Sequence, residues 1–591
     1  MNSETKTCQN CKQSFVIEPD DFTFYEKMDV PPPTWCPVCR KQRRMSWRND
    51  MNLYQRTCDL CGKNIISLYS KDSGLTVYCV KCWWSDKWDP KDFAQEYDFS
   101  KPFFLQFNEL QKRVPYLALV NDDGLIGGSV NCEYNQDFAR SKNCYMIFIA
   151  WKLEDCLYGY YMVDGKYLVD CLHILNSNSY VYEGIFIEDC YQCRYVYDSV
   201  ALSDCSFAYD CRDCSDCLLC VGLRHQRYCF KNKQYSKEEY EKILSGYKLN
   251  TFSGVERARK EFSELLYTSP RRFALFRNTV SSTGDYLSNC KNSRDCFLIQ
   301  RGENCRYAEG CDTPKDSYDL TVGGELSLTY EGITPDHTYV GRFPIFSWKN
   351  RDYYYVDGCH SSENIFGCVG LKKAQYCILN KQYTKEEYEM MLPKIIAHMD
   401  SMPYVDKNGI VYKFGEFYPP ELSYFGYNES LAQDYFPLEE QEARSRGLSW
   451  RRNQPFTTGK ETIKTEDLPD AIEDVRDSVT DEILVCIECN RNYRIISREL
   501  QFYRHMNIPL PRRCFFCRHK ARLSMRNPFV LRKRRCDCRS KTGRQKGPHT
   551  YVNSAKHFHG DEPCLNEFET SYSPESPAIV YCEQCYQGEM M

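Results

Sequence analysis

Sixteen cysteines stand in close pairs whose spacing could hold metal ions. Toward the N-terminus these are Cys8 with Cys11, Cys36 with Cys39, Cys58 with Cys61, and Cys79 with Cys82. Toward the C-terminus they are Cys486 with Cys489, Cys514 with Cys517, Cys536 with Cys538, and Cys582 with Cys585. A CxxC pair presents two sulfurs from one tight turn, and two pairs close a tetrahedral shell around zinc. A shell of four thiolates leaves no position for water, so the chemistry expected is structural, with metal binding supplying folding energy. About four Zn2+ sites are expected, with iron in a rubredoxin-like site as the alternative metal. A further site is foreseen near His557, His559 and Cys564 in an insertion that also holds His549.

Each quartet needs elements that bring its two pairs together. A hairpin-like stretch follows Cys11, and the second pair opens RKQRRMSWRND, which reads as a helix. A knuckle, a hairpin and a cysteine pair at a helix N-terminus is the order of a treble clef, and the helix dipole there favours thiolate. The two ends are copies of one another. FTFYEKMDVPPPTWCPVCRKQRRMSWRN matches LQFYRHMNIPLPRRCFFCRHKARLSMRN, and the gap from Cys11 to Cys36 equals that from Cys489 to Cys514. This is an internal duplication.

The middle is duplicated too. DCLLCVGLRHQRYCFKNKQYSKEEYEKIL at 216–244 matches NIFGCVGLKKAQYCILNKQYTKEEYEMML at 364–392. Each copy closes with a capping box, Ser236 with Glu239 or Thr384 with Glu387, that starts a helix. In the first copy an Asn or Asp repeatedly precedes Cys, from Asn131-Cys132 to Asp216-Cys217, at intervals of 12, 12, 15, 19, 15, 6, 3 and 3. Asn and Asp tolerate left-handed corners, and cysteine stacks inward as a small apolar group. The expectation is a coiled parallel β-solenoid, with an antiparallel meander as its rival. Cys211, Cys214, Cys217 and Cys220 resemble an iron–sulfur ligand run. The second copy puts Cys359, Ser362, Ile365 and Cys368 there, which favours simple burial.

Charge is segregated. Residues 491–546 hold 18 Lys or Arg against two acids, a local +16 in a chain whose net charge is −4. Candidate nucleic-acid contacts are Arg512, Arg513, Arg518, Lys520, Arg522, Arg526, Arg532, Lys533, Arg534 and Arg535, with Arg40, Lys41, Arg43, Arg44 and Arg48 in the N-terminal copy. Basic groups among Phe515, Phe516 and Trp47 suit phosphate contact and base stacking, and RNA is favoured over DNA. Two four-cysteine zinc centres, each formally −2, would absorb only about four of those positive charges.

The fold class expected is therefore multidomain and mainly β, with tandem treble-clef zinc modules at both ends flanking two β-solenoid-like repeats, each closed by a capping helix. The boundaries are 1–100 for the first zinc module, 118–245 and 270–395 for the repeats, and 246–269 for a helical connector. Residues 396–482 form a helical and linker segment whose polar stretch 440–482 reads as a flexible tether, and 483–591 form the second zinc module. Aromatic content of 15% excludes general disorder, and no run approaches the roughly 18–20 apolar residues of a membrane span. Many cysteines without a signal peptide point to a reducing cytoplasm. The function expected is binding of nucleic acid or a ribonucleoprotein through the basic C-terminal zinc module; the alternatives are a protein-interaction scaffold with structural zinc and a metal-dependent nuclease using residues 549–564. No catalytic residue is assigned, as Walker, dinucleotide and GxSxG motifs are lacking.

The phrases PPPTWCPVCRKQRRMSWRND, VYCVKCWWSDKWDP and NKQYSKEEYEKIL touch the ends and the middle of the chain. In them the sequence resembles large cysteine-rich treble-clef zinc proteins of bacteria of the candidate phyla radiation (Patescibacteria). That resemblance implies a bacterial cytoplasmic setting and brings no activity with it.

Overall fold

The computed structural model describes residues 2–120, 129–166, 169, 172–175, 184–185, 192–539 and 551–590. Cys171, Cys190 and His549 lie outside the described residues. The chain divides into two compact units. One comprises Met1–Val120, Ala274–Gln454 and Pro528–Leu531; the other comprises Asn121–Phe273, Pro455–Asn527 and Arg532–Met591. Each unit joins a cysteine-rich terminal module to one long β ladder.

Within each ladder the strands are parallel, and residue i mostly pairs with residue i+12. In one unit Gln136 pairs with Phe148, Phe148 with Tyr160 and Tyr160 with Leu172. In the other Gly341 pairs with Tyr353, Tyr353 with Ile365 and Ile365 with Cys377. The backbone has a shorter period inside this register. Every third residue from Tyr286 to Leu379 has positive φ, as does every third residue from Asn131 to Asp164 and from Gln192 to Lys231. Asn and Asp hold many of these positions, including Asn131, Asn143, Asp155, Asp204, Asp210, Asp213 and Asp216. A left-handed residue costs an ordinary L side chain about 1–2 kcal/mol, which selects for Asn, Asp and Gly. Val322, Val340 and Phe343 adopt it as well, so pairing with neighbouring segments overrides local preference there.

The residue after most left-handed positions points inward. Cys290, Cys296, Ile299, Cys305, Ala308 and Cys311 form one buried cluster, and Val356, Cys359, Ile365, Cys368 and Cys377 belong to another. Each ladder ends in a short antiparallel return, Arg227–Phe230 against Lys233–Gln234 and Gln375–Ile378 against Lys381–Gln382. The two capping boxes then open helices Lys237–Tyr247 and Lys385–Ser401. Ser236 Oγ accepts from Glu239 N at 3.2 Å, and Thr384 Oγ1 accepts from Glu387 N at 3.2 Å.

The stretch 440–482 is not a free tether. Helix Glu440–Ser445 occupies its start. In the other unit Ile472 and Val479 are buried, Phe252 N donates to Asp470 O at 2.9 Å, and Ile472 N donates to Asn250 O at 3.0 Å. A polar composition hid a segment anchored through its few apolar side chains and its backbone.

Candidate metal centres

Three centres form from the quartets the spacing identifies: Cys8, Cys11, Cys36 and Cys39; Cys58, Cys61, Cys79 and Cys82; Cys486, Cys489, Cys514 and Cys517. In each, all four sulfurs lie within 4.8 Å of one another. The first pair sits in the turn of an antiparallel hairpin, Glu4–Thr7 with Ser14–Ile17 in the first centre. The second pair begins at the residue capping a helix, with Cys36 before Pro37–Met45, Cys79 before Val80–Trp83 and Cys514 before Phe515–Met525. Cys11 and Cys36 sulfurs are 3.7 Å apart, Cys61 and Cys79 4.0 Å, and Cys489 and Cys514 3.6 Å. Sulfurs bound tetrahedrally at about 2.3 Å from one zinc would be about 3.8 Å apart.

The fourth centre differs from the expected set of Cys536, Cys538, Cys582 and Cys585. Cys564 replaces Cys538, giving Cys536, Cys564, Cys582 and Cys585. The cause is the insertion, which splits the knuckle. Elsewhere the second cysteine shortly precedes the return strand, as Cys61 precedes Asn64–Ser67 and Cys11 precedes Ser14–Ile17. Cys564 precedes Glu567–Thr570 in the same way. The signal was in the sequence, since the gap from Cys564 to Cys582 equals that from Cys61 to Cys79. Cys538 is released to a separate group with His557, His559 and Cys585.

Backbone amides support the sulfurs at equivalent places. Cys36 N donates to Cys8 Sγ at 3.2 Å, Cys79 N to Cys58 Sγ at 3.2 Å, and Cys582 N to Cys536 Sγ at 3.1 Å. Without a cation such a quartet titrates unevenly. The Cys514 thiol holds Cys486 down to about 4, while burial pushes Cys517 up to about 12. Four thiols packed this closely cannot all ionise together unless a positive ion shares the site. The donor chemistry therefore fits a divalent metal.

The basic residues have different fates. On helix Pro37–Met45, Arg40, Arg43 and Arg44 are fully buried and face the strand Tyr318–Ile333 rather than solvent. Arg43 reaches Glu331 at 2.8 Å and Glu416 at 2.7 Å, and Arg44 reaches Asp319 at 3.0 Å. Lys41 pairs with Glu309 and Arg48 with Asp50. Three buried arginines meet three buried carboxylates, so this face is a neutralised docking surface and not a phosphate site. In the C-terminal copy Arg518 and Arg522, which align with Arg40 and Arg44, are buried too. Arg518 Nη1 donates to Arg513 O at 2.9 Å and its guanidinium lies over the Tyr158 ring. Phe515 on the same helix stacks on Phe148 and Tyr158.

Arg512 is buried and donates to the carbonyls of Thr465, Leu468 and Pro469. Arg534 binds Asp537 at 2.7 Å and the carbonyls of Ser573 and Ala578. Arg513 pairs with Glu488 and Arg535 with Glu567 at the surface. Arg526 and Arg532 are half-buried, and Lys520 and Lys533 are exposed. For Arg512, Arg518 and Arg522, the expectation of open phosphate contact is corrected by their burial. A one-dimensional charge count could not foresee this, because the partners come from distant segments.

Cys211, Cys214, Cys217 and Cys220 are not among the close metal-capable groups of the described residues. They occupy successive inward positions, and their thiols donate weakly to carbonyls, Cys211 Sγ to Tyr209 O at 3.5 Å and Cys220 Sγ to Leu218 O at 3.4 Å.

No family model and no curated protein matches the chain. A solved structure of a candidate acetyltransferase from Desulfovibrio desulfuricans G20 overlaps 46% of this chain and 74% of that one at 10% identity, with a TM-score of 0.07, and carries no argument. No helix among the described residues is long and apolar enough to cross a membrane.

Proposed function

We propose that the chain is a zinc-stapled scaffold. In this reading treble-clef modules hold structural zinc, and the parallel ladders are coils of two β-solenoids whose outer faces receive a macromolecular partner. The observation that carries it is the closure of the donor sets: three groups each bring together four cysteines of their own, the full donor count of a structural zinc site. The nuclease reading would need an open position at the group of Cys538, His557, His559 and Cys585.

Nucleic acid is the second reading, with RNA favoured. It rests on exposed Lys520 and Lys533 and on Arg513 and Arg535, whose partners Glu488 and Glu567 are solvated surface acids. Such exposed pairs contribute about 0–1 kcal/mol, so phosphate can compete for them. The test is titration of the metal-loaded full chain with single-stranded RNA at two salt concentrations, with Lys520→Glu/Lys533→Glu as control. The scaffold reading expects weak binding that the control leaves unchanged. Tight binding that falls about 10³-fold between roughly 50 and 200 mM salt and collapses in the control would put nucleic acid first.

A further inference from the structure

Cys585 belongs to two donor sets at once. It completes the group with Cys536, Cys564 and Cys582, and it completes the group with Cys538, His557 and His559. Within the second group His559 Nε2 lies 3.3 Å from Cys538 Sγ and 3.5 Å from Cys585 Sγ, and His557 Nδ1 lies 3.6 Å from Cys538 Sγ. Cys564 and Cys582 sulfurs are 3.9 Å apart in the first. These are edge lengths of metal-centred tetrahedra at ordinary Zn–S and Zn–N bond lengths of about 2.3 and 2.0–2.1 Å.

We infer that the C-terminal module holds a dinuclear zinc cluster in which the Cys585 thiolate bridges the two ions. Two tetrahedral ions need eight coordination positions. Seven donors fill them only if one donor is shared, and Cys585 is the donor common to both groups. Charge favours the arrangement. Two divalent ions and five thiolates leave a formal −1 with neutral imidazoles, whereas two separate four-cysteine centres would carry −4. Burying the smaller charge costs less.

The surroundings fix both imidazoles for this role. His557 Nε2 donates to Glu589 Oε2 at 2.9 Å, leaving Nδ1 for metal. Glu589 is itself held by Tyr551 Oη at 2.8 Å and Ser554 Oγ at 2.7 Å. His559 Nδ1 donates to Glu562 O at 2.6 Å, leaving Nε2 for metal. A carboxylate or carbonyl behind a ligating histidine sets its tautomer and orientation. Asn553 Nδ2 donates to Cys538 Sγ and Asn566 Nδ2 to Cys582 Sγ, each at 3.3 Å. The segment between Cys536 and Cys564 therefore supplies the second ion's private ligands, and the bridging sulfur ties it to the hairpin-and-helix frame.

The inference goes beyond the scaffold reading and stands or falls separately, because it concerns metal count and coupling rather than partners. The test is metal analysis of the full chain, followed by cobalt(II) replacement and electron paramagnetic resonance spin counting at low temperature. Three isolated four-cysteine centres and one bridged pair predict five metals per chain but about three cobalt spins, since a shared thiolate couples the pair antiferromagnetically. His559→Ala removes one ion and uncouples the other, so metal falls from five to four while the spin count rises to about four. Glu589→Gln, which keeps every ligand, retains five metals but loosens the second ion, so that a chelator removes it about 10-fold faster or more. Four metals in the parent chain, or five metals with five uncoupled spins, would overturn the bridge.

Discussion

Arg40 and Asp319 are far apart in sequence and joined by two hydrogen bonds, Nε to Oδ2 at 3.0 Å and Nη2 to Oδ2 at 2.8 Å. Asp319 Oδ1 accepts from Arg44 at 3.0 Å, so one carboxylate serves two arginines of the helix opened by Cys36. The cysteine quartet fixes the start of that helix, and the helix delivers its arginines to the ladder. Burial opposes the charge on Arg40, yet Asp319 and neighbouring groups hold its pKa well above the ordinary value.

Removing one partner from such a buried network leaves charge uncompensated. Asp319→Ala should destabilise the protein by about 3–5 kcal/mol, the range for breaking a buried pair. Asp319→Asn keeps the shape and loses the charge, and should fall between parent and Asp319→Ala. Denaturant unfolding of the metal-loaded chain measures both. A change below about 1 kcal/mol for Asp319→Ala would mean that the helix docks by shape and not by charge.

The polar ladder along the left-handed positions gives a second expectation. Asn292 Nδ2 donates to Asn304 Oδ1 at 2.9 Å, and Asn304 Nδ2 donates to Asp316 Oδ1 at 2.8 Å. Asn304 also has φ of 53°. Asn304→Ala loses the bonds and strains the backbone, for about 2–3 kcal/mol in all. Asn304→Gly loses only the bonds and should recover about 1 kcal/mol of that. Equal losses in the two variants would show that the left-handed turn is not what selects Asn there.

Much of this was legible in the sequence, and the missing parts have identifiable causes. The CxxC pairs and their spacing reveal three donor quartets outright, because each is assembled by one hairpin and one helix start. The fourth was misassigned because an insertion moved its second cysteine from the knuckle turn to Cys564. The ladder period was blurred because inward sites accept Cys, Ala, Val, Ile or Leu alike. Counting only Asn/Asp–Cys pairs sampled a three-residue rhythm irregularly, which is why the intervals among Cys132, Cys144 and Cys156 and among Cys205, Cys211, Cys214 and Cys217 are all multiples of three. Arg40 and Arg44 read as solvent-facing because Asp319, Glu331 and Glu416 lie hundreds of residues away.

Cysteines at inward ladder positions should behave as apolar packing and not as ligands. Cys214 is buried, with its thiol donating to Arg212 O at 3.2 Å. Cys214→Ala should cost about 1 kcal/mol, leave the metal content unchanged and produce no change in visible absorption. Loss of iron, or of any metal, in this variant would restore the cluster reading of Cys211–Cys220.

His360 supplies a pH test of the ladder that binds the N-terminal module. Its ring stacks on Trp348 at 4.5 Å and lies 5.0 Å from Trp84 and 5.3 Å from Trp83. Burial, aided by the Lys372 charge, pushes its pKa down from 6.5 to about 3. The unfolded chain takes up a proton as pH falls through about 6.5, while the folded chain does so only near 3. The unfolded state binds more protons between those values, so stability falls with falling pH across that window. At about 1.4 kcal/mol per pH unit, the loss between pH 7.5 and 5.0 is about 2 kcal/mol for this residue. His360→Phe keeps an aromatic ring against the tryptophans and removes the titration. The variant's unfolding free energy relative to the parent chain should therefore be higher at pH 5.0 than at pH 7.5, by about 2 kcal/mol. Taking the difference between the two chains cancels the acid sensitivity of the thiolate centres that they share. A difference that stays constant between the two pH values would show that His360 protonates as readily in the folded protein as in the unfolded chain.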